Sequence, residues 1–466
     1  MSNYPRLVVA GIRGGTGKTL LSLSIIAALR FRKGLKVIPF KKGPDYIDAG
    51  WLARVSGNPC YNLDTFFIPE DKIIYSFISH FHGNIAVIEG NRGLYDGMDA
   101  TGSFSTAELS KILKSPVILV IDCSKTTATA AATLLGCVNM DRDVSIRGVV
   151  LNEVSNKRHE TVIREAIERH CPIPVLGAIP RLETDLPERH MGLLPYQEHH
   201  DADRIITMAR EIGERYIDIN EIIRIAEAAD MLVEKKETPP LPEGTLRHVR
   251  IGIIKDSAFQ FYYPENIEEL ERYGAEVIEI SALSENRLPD LDALYIGGGF
   301  PETNAIGLAE NKTFIASIRE SIIRGLPLYA ECGGLMYLGK GISLNGRFYE
   351  MADIFPITFT LEKRPQAHGY TIAEVVKENP FYPAGITIKG HEFHYSRPQF
   401  IEDDRDSLDY AFRMKRGSGI KEKKDGIFYR NVFATYTHVH AYGIPEWTKG
   451  MIEAADRFKR FKEAQG

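Results

Sequence analysis

Apolar residues arrive along this chain in short unbroken runs separated by longer amphipathic stretches. Residues 6–10 (RLVVA) are the first run, and residues 36–40, 85–88, 117–121, 146–151 and 175–179 repeat the signal. Runs this short and this apolar predict strands buried on both faces. Between the first two, residues 18–32 place Leu20, Leu21, Leu23, Ile25, Ile26 and Leu29 at helical spacing, and Gly34 supplies a stop. Strands alternating with helices predict a parallel sheet covered on both sides.

A second series of the same kind runs through residues 249–254, 276–280, 293–296 and 327–330, with helices expected at 265–273 and 312–323. Residues 234–245 (EKKETPPLPEGT) between the two series are charged, then rich in proline, with no periodicity. Such a composition suits an exposed connection. Beyond Gly341 the pattern turns irregular and mixed, until an amphipathic stretch closes the chain at 445–463. The reading is an α/β protein of two domains, 1–235 and 248–466, joined by a linker at 236–247.

Length agrees, since 466 residues suggest about two or three domains. The apolar fraction of 44% and the charged fraction of 26% are ordinary for a chain with sizeable cores. Net charge is −5 with both signs interspersed, which offers no footprint for nucleic acid or an anionic membrane. No run approaches the ~20 apolar residues that span a bilayer, and the first residues lack the apolar centre of a secretory leader. Five cysteines are scattered without a CxxC pair, so neither a disulfide framework nor a zinc site is expected. These features predict a cytoplasmic protein.

Candidate chemistry lies at two strand ends. Gly14, Gly15, Thr16, Gly17, Lys18 and Thr19 (GGTGKT) stand between the first strand and the first long helix. Phosphate binding needs such a place, because glycines let backbone N–H groups approach the oxygens and a helix N-terminus points its dipole at them. Lys18 would reach the β- and γ-phosphates of a nucleotide, and the Thr19 hydroxyl would ligate Mg²⁺. The strict loop pattern wants glycine at position 12, where this chain has Ile12 after Gly11. Asp45, Tyr46 and Asp48 follow the second strand, and Glu89 ends the third run, on the edge where metal or substrate would be held. Asn152, just past another strand, reads equally as a turn residue or as an amide that reads the nucleotide base.

In the second half, YAECGG (residues 329–334) is a strand entering a glycine-flanked turn and then a helix. That geometry projects Cys332 as a nucleophile, its thiolate favoured by the helix that follows. Gly297, Gly298 and Gly299 end the preceding strand and could supply the N–H groups of an oxyanion hole. A base must come from a histidine near in space, and His391, His394, His438 and His440 are the candidates.

At this point the residues resemble the cobyrinic acid a,c-diamide synthase family over nearly the whole chain. The shared segments are GGTGKT, KKGPDYID (41–48), IEGNRGLYDG (88–97), IPRLETDLPERHMGLLP (179–195), AFQFYYPENIEELE (258–271), LYIGGGFPE (294–302), YAECGGLMYL (329–338) and GHEFHYS (390–396). The resemblance implies an N-terminal ATP-binding domain of the dethiobiotin-synthetase type and a C-terminal class I glutamine amidotransferase domain. It implies that Lys18 and Thr19 bind ATP and Mg²⁺, that Glu89 is a second Mg²⁺ ligand, and that Asp45, Tyr46, Asp48 and Asp96 place metal and substrate. It makes Cys332 the glutaminase nucleophile and His438 its base. The position two residues beyond the base, usually glutamate, is His440 here, so the third triad role has no assigned residue.

The implied activity is ATP- and glutamine-dependent amidation of the a and c acetate groups of a polycarboxylate tetrapyrrole through an acyl phosphate. The loop reads GIRGGTGKT rather than GTSSGVGKT, and the ending THVHAYGIPEW differs from the usual YLHLHF. Amidation of sirohaem or nickel sirohydrochlorin by the same mechanism therefore stands as the alternative. A regulatory ATPase of the MinD/ParA type is the remote one, since Arg13 replaces its signature lysine and it has no use for a Cys332 domain. A homodimer is the candidate assembly.

Overall fold

The apolar runs of the first half become seven strands: β1 (Arg6–Gly11), β2 (Val37–Lys42), β3 (Tyr61–Leu63), β4 (Ile85–Gly93), β5 (Val117–Asp122), β6 (Ile146–Val154) and β7 (Val175–Pro180). They form one sheet in the order β3-β2-β4-β1-β5-β6-β7, parallel throughout. This is a computed structural model that describes residues 3–182, 188–189, 192–198, 201–233, 247–401 and 408–465. The expected linker lies outside these residues except at its last position, as does much of the 179–195 segment.

Helix α1 (Lys18–Ala27) continues through a wider turn, Ala28–Arg32, and packs Leu21, Ile25 and Leu29 onto the sheet beside Val9, Val87 and Val120. The helix Lys157–His170 is started by Asn156, whose side chain accepts the His159 N–H at 3.0 Å, and buries only Ile163 and Ile167. Arg6 enters β1 fully buried. Its guanidinium donates to the carbonyls of Leu113, Tyr4, Lys114 and Asp230, at 2.7, 2.8, 3.2 and 2.6 Å. Burial lowers its pKa to about 10.

The chain divides into two compact units, Met1–Glu237 and Thr238–Gly466. In the second, a nine-stranded sheet takes the order Ala275–Ile280, Val249–Ile254, Ala293–Ile296, Leu328–Glu331, Val432–Thr435, Lys424–Tyr429, Asp409–Arg416, Ala367–Val375, Thr387–His394. The first five strands are parallel and the rest antiparallel. Both faces are covered: Leu294, Ile296, Leu328 and Ala330 enter one core, while Ala293, Tyr295 and Tyr329 alternate into the other. The stretch beyond Gly341 is thus largely antiparallel strand, where the sequence pattern read as irregular.

The antiparallel half curls until its edge strand meets the segment that follows Val432–Thr435. His391 and His438 exchange backbone hydrogen bonds there, at 3.2 and 2.8 Å. A Cβ on Gly390 would lie 2.2 Å from the His438 carbonyl oxygen, so the approach depends on glycine.

Candidate active site

The first site forms where β1, β2 and β4 end. The loop between Gly11 and Lys18 is shaped by close backbone approach. Gly17 has φ 93°, and a Cβ there would lie 2.3 Å from the Asn152 amide nitrogen. Asn152 in turn donates to the Thr16 carbonyl at 3.0 Å, so this amide braces the loop from beneath. At Gly14 and Gly15 an added Cβ would have nothing within 4 Å, which leaves that side of the loop open. Lys18 Nζ turns back to the Arg13 carbonyl at 3.2 Å, and the Thr16 hydroxyl donates to the same oxygen at 3.2 Å. Burial, and then the Lys41 ammonium, lower the Lys18 pKa.

Register explains what lies beneath the loop. Val9 pairs with Glu89 between β1 and β4, and Lys41 pairs with Glu89 between β2 and β4, so all three meet at one sheet edge. The Thr19 hydroxyl donates to Glu89 Oε1 at 2.9 Å. Lys41 Nζ donates to that oxygen at 2.8 Å, to Asp48 Oδ2 at 2.8 Å and to the Gly90 carbonyl at 3.3 Å. Asp45 stands 4.0 Å from Lys41 and accepts the Asp48 N–H at 2.9 Å, fixing the start of the helix Ile47–Ser56 that Tyr46 precedes. Asp96 accepts the Gly93 N–H at 2.9 Å, on the same edge.

Charge in this cluster is nearly balanced: the ammonium groups of Lys18 and Lys41 face the carboxylates of Asp45, Asp48 and Glu89. Burial pulls the Lys41 pKa down, but Asp48, Glu89 and Asp45 together hold it well above its usual value. The Asp48 carboxyl falls below its usual range because Lys41 outweighs burial. Glu89 is pushed up by burial against the pull of Lys41, and Asp45 rises to about 7 through burial and the Asp48 charge. Glu89 Oε2 is buried without a hydrogen-bond partner among the described residues. Among the described residues no three His, Cys, Asp or Glu side chains form a ready-made metal cage. Mg²⁺ does not need one, since it takes one or two carboxylates and completes its shell with phosphates and water. Glu89, Thr19 and Asp48 fit that habit.

The second site is built at Cys332, directly after the strand Leu328–Glu331. Its backbone sits at φ 48°, ψ −96°, a sharp turn into the helix Gly333–Leu338. Sγ lies 3.8 Å from the Phe393 carbonyl. Burial, with the Glu302 and Glu331 charges adding to it, pushes the thiol well above its usual pKa, while the Gly333 N–H pulls weakly the other way. Burial thus works against the thiolate expected from the helix terminus.

His438 stands beside the glycine cluster: a Cβ on Gly298 would lie 2.6 Å from its Cε1 and 3.3 Å from Nε2. Gly299 N is 3.0 Å from where a Cβ on Gly333 would be, next to Cys332. Gly297 N–H is already engaged by the Tyr262 hydroxyl at 2.7 Å. His438 Nδ1 meets Glu331 Oε2 at 3.0 Å, His391 stacks on its ring at 4.9 Å, and His391 Nδ1 meets the Tyr263 hydroxyl at 3.3 Å. His440 is turned to another carboxylate, Glu265, at 3.5 Å. His394 stacks on Tyr436 at 3.6 Å, and burial holds its pKa down at about 4.

Lys41 and Glu331 were not singled out by sequence reasoning. For Lys41 the signal was its place, with Lys42, at the end of an apolar strand run; for Glu331 only its place beside Cys332.

Comparison with known proteins supplies the family. Residues 7–194 match the CobQ/CobB/MinD/ParA nucleotide binding domain, and residues 250–444 match the CobB/CobQ-like glutamine amidotransferase domain. A cobyrinate a,c-diamide synthase of Magnetococcus marinus is 41% identical over 451 residues, covering 95% of each chain. That of Archaeoglobus fulgidus is 41% identical over 440 residues, covering 94% of each, and that of Caldanaerobacter subterraneus 39% over 458 residues, covering 97% of this chain and 99% of its own. A nucleotide-binding α/β domain followed by a glutamine amidotransferase domain makes this an ATP-using, glutamine-dependent amidating ligase. The chain belongs to the cobyrinate a,c-diamide synthase family. No helix among the described residues is long and apolar enough to cross a membrane.

Proposed function

We propose that this enzyme amidates the a and c acetate carboxylates of cobyrinate, drawing ammonia from glutamine and activating each carboxylate as an acyl phosphate. The observation that carries the reading is the Thr19–Glu89–Lys41–Asp48 cluster, centred on the buried Lys41 and Glu89 under the phosphate loop, in the same chain as the Cys332 turn. A carboxylate and ammonia do not condense at neutral pH, because the carboxylate is a poor electrophile. Transfer of the γ-phosphoryl group gives it a leaving group, and positioning with charge neutralisation is what a protein contributes to that transfer.

In this reading Gly14 to Gly17 and Lys18 cradle the phosphates, and Asn152 braces the loop with its carbonyl oxygen left for the base. Thr19, Glu89 and Asp48 would hold Mg²⁺. Bound there, Mg²⁺ would neutralise charge on the phosphates. Asp45, Tyr46 and Asp96 line the edge where the substrate carboxylate is placed. Lys41 offers that carboxylate, or the phosphoryl oxygens, a buried cation.

At the second site the Cys332 thiol gives its proton to His438 Nε2 as sulfur bonds to the glutamine carboxamide carbon. Gly298 and Gly299 N–H groups face the oxygen that gains charge. The same proton passes to the departing nitrogen as the carbon–nitrogen bond breaks, so ammonia leaves and a thioester remains. Water then hydrolyses the thioester, releasing glutamate and restoring the thiol.

Incubation with ATP, Mg²⁺, glutamine and a panel of tetrapyrroles, read by mass spectrometry, tests the substrate. Cobyrinate should show one nitrogen-for-oxygen exchange at each of the a and c groups. Exchange on sirohaem or nickel sirohydrochlorin, with cobyrinate untouched, would move the substrate to that alternative.

A further inference from the structure

We propose that Glu331, the residue immediately before the nucleophile, is the carboxylate that orients His438 as base, filling the role that position 440 leaves open. The proposal rests on the glutaminase reading of Cys332 and His438. Glu331 closes the strand Leu328–Glu331 and pairs with Thr435 of the neighbouring strand, three residues before the base. Its Oε2 lies 3.0 Å from His438 Nδ1, and its Oε1 accepts the Val439 N–H at 3.4 Å. One carboxylate thus holds both the ring of the base and the backbone that follows it. The two side chains are 1% and 2% exposed, so solvent does not compete for the contact.

A ring nitrogen facing a carboxylate carries the proton, by the logic of the hydrogen-bond network. Nε2 is then left with its lone pair, on the side of the ring that abuts Gly298. That is the nitrogen able to take the Cys332 proton. When it does, the imidazolium is formed against a buried negative charge, which favours the transfer from a thiol that burial has made reluctant to ionise. The Nδ1 proton stays where it is; Glu331 acts by orientation and charge. His391, stacked on the ring and tied to Tyr263, fixes its other face.

His440 does not serve His438 in this way. Its Nδ1 accepts the Tyr442 N–H at 3.2 Å and its Nε2 faces Glu265 Oε1 at 3.5 Å. The triad carboxylate has in effect moved from the loop after the base to the strand before the nucleophile. Glu331 is a positioning residue, so its test must separate it from a merely structural one.

The test uses the full chain and follows glutamine hydrolysis. Glu331→Gln keeps the size but presents an amide that favours the wrong tautomer, and kcat should fall by roughly 10²–10⁴-fold while KM for glutamine stays within about two-fold. Glu331→Asp should regain part of the loss. In a His438→Ala background Glu331→Gln should cost nothing further, because its effect passes through that ring. Full additivity of the two losses, or unchanged kcat in Glu331→Gln, overturns the proposal. If Glu331→Gln does not fold, Glu331→Asp decides: a kcat loss at unchanged KM supports the role, and no loss overturns it. Cys332→Ser separates the levels. Glutaminase persisting there would bring down the reading of the site and the proposal with it, whereas its loss beside a fully active Glu331→Gln would remove the proposal alone.

Discussion

Lys41 is 2% exposed and lies between two carboxylates, Glu89 of β4 and Asp48 of the helix Ile47–Ser56. Removing such a cation leaves Glu89 and Asp48 buried without their partner, a change that typically costs ~3–5 kcal/mol. Lys41→Met should therefore lower the melting temperature and abolish amidation, and Lys18→Ala should abolish amidation and ATP turnover with less effect on melting. Both should keep measurable glutaminase activity. Cys332→Ser should do the reverse, losing glutamine-dependent amidation but still making product from ammonium salt under mildly alkaline conditions, where free ammonia is present. Assaying each variant with glutamine and with ammonium salt checks all three.

His394 carries a pH dependence. Burial holds its folded pKa at about 4, below the usual 6.5, so the folded state prefers it neutral. Its contribution is complete above 6.5 and is lost as pH falls from 6.5 toward 4, by at most ~3 kcal/mol. His391, also held well below its usual value by burial, acts in the same direction. Urea midpoints at pH 7 and pH 5 should fall for the natural chain and fall less for His394→Phe, which keeps the stack on Tyr436. At this scale the glycine-dependent features were legible, because the GGTGKT loop and the Cys332 turn write their backbone needs into adjacent residues. Lys41–Glu89 and Glu331–His438 were not, being 48 and 107 residues apart and meeting only through strand register.

Among the elements, two buried groups do fastening that strands and helices cannot do alone. Arg6 ties the start of β1 to the carbonyls of Leu113 and Lys114, just past the helix Thr106–Ile112, and to Asp230 beyond the helix Ile219–Glu227. Asp425, fully buried, accepts from the Thr435 and Thr437 hydroxyls at 2.7 and 2.9 Å and from the Tyr436 and Thr437 N–H groups at 3.0 and 3.1 Å. It therefore holds the segment that delivers His438. Asp425→Ala should cost several kcal/mol, on the order of 1–3 for each buried donor left unpaired, and should lower glutaminase kcat. Arg6→Ala should destabilise comparably, but only the first unit, with glutaminase unchanged; denaturant unfolding beside the glutaminase assay distinguishes them. The parallel strands were readable because they are buried on both faces. The antiparallel ones were not, because in Ala367–Val375 polarity does not follow burial: Thr371 is buried while Ile372 is half-exposed, so no apolar–polar alternation shows in the sequence.

For the whole molecule, two units with separate cores predict separable unfolding transitions. ATP with Mg²⁺ at about 100 times its Kd should stabilise the first by ~2.7 kcal/mol and leave the second in place, and Lys18→Ala should remove that shift in a calorimetric scan. The backbone bridge between His391 and His438 carries a different consequence, one of timing. On the roles proposed above, Cys332 leaves the ribosome long before His438, and His438 is seated only when the curled sheet has closed on it. Contacts so distant in sequence are the slow ones to form. A half-made or half-refolded chain should thus leave glutamine unhydrolysed, and in refolding experiments glutaminase activity should return later than the far-ultraviolet signal of the strands.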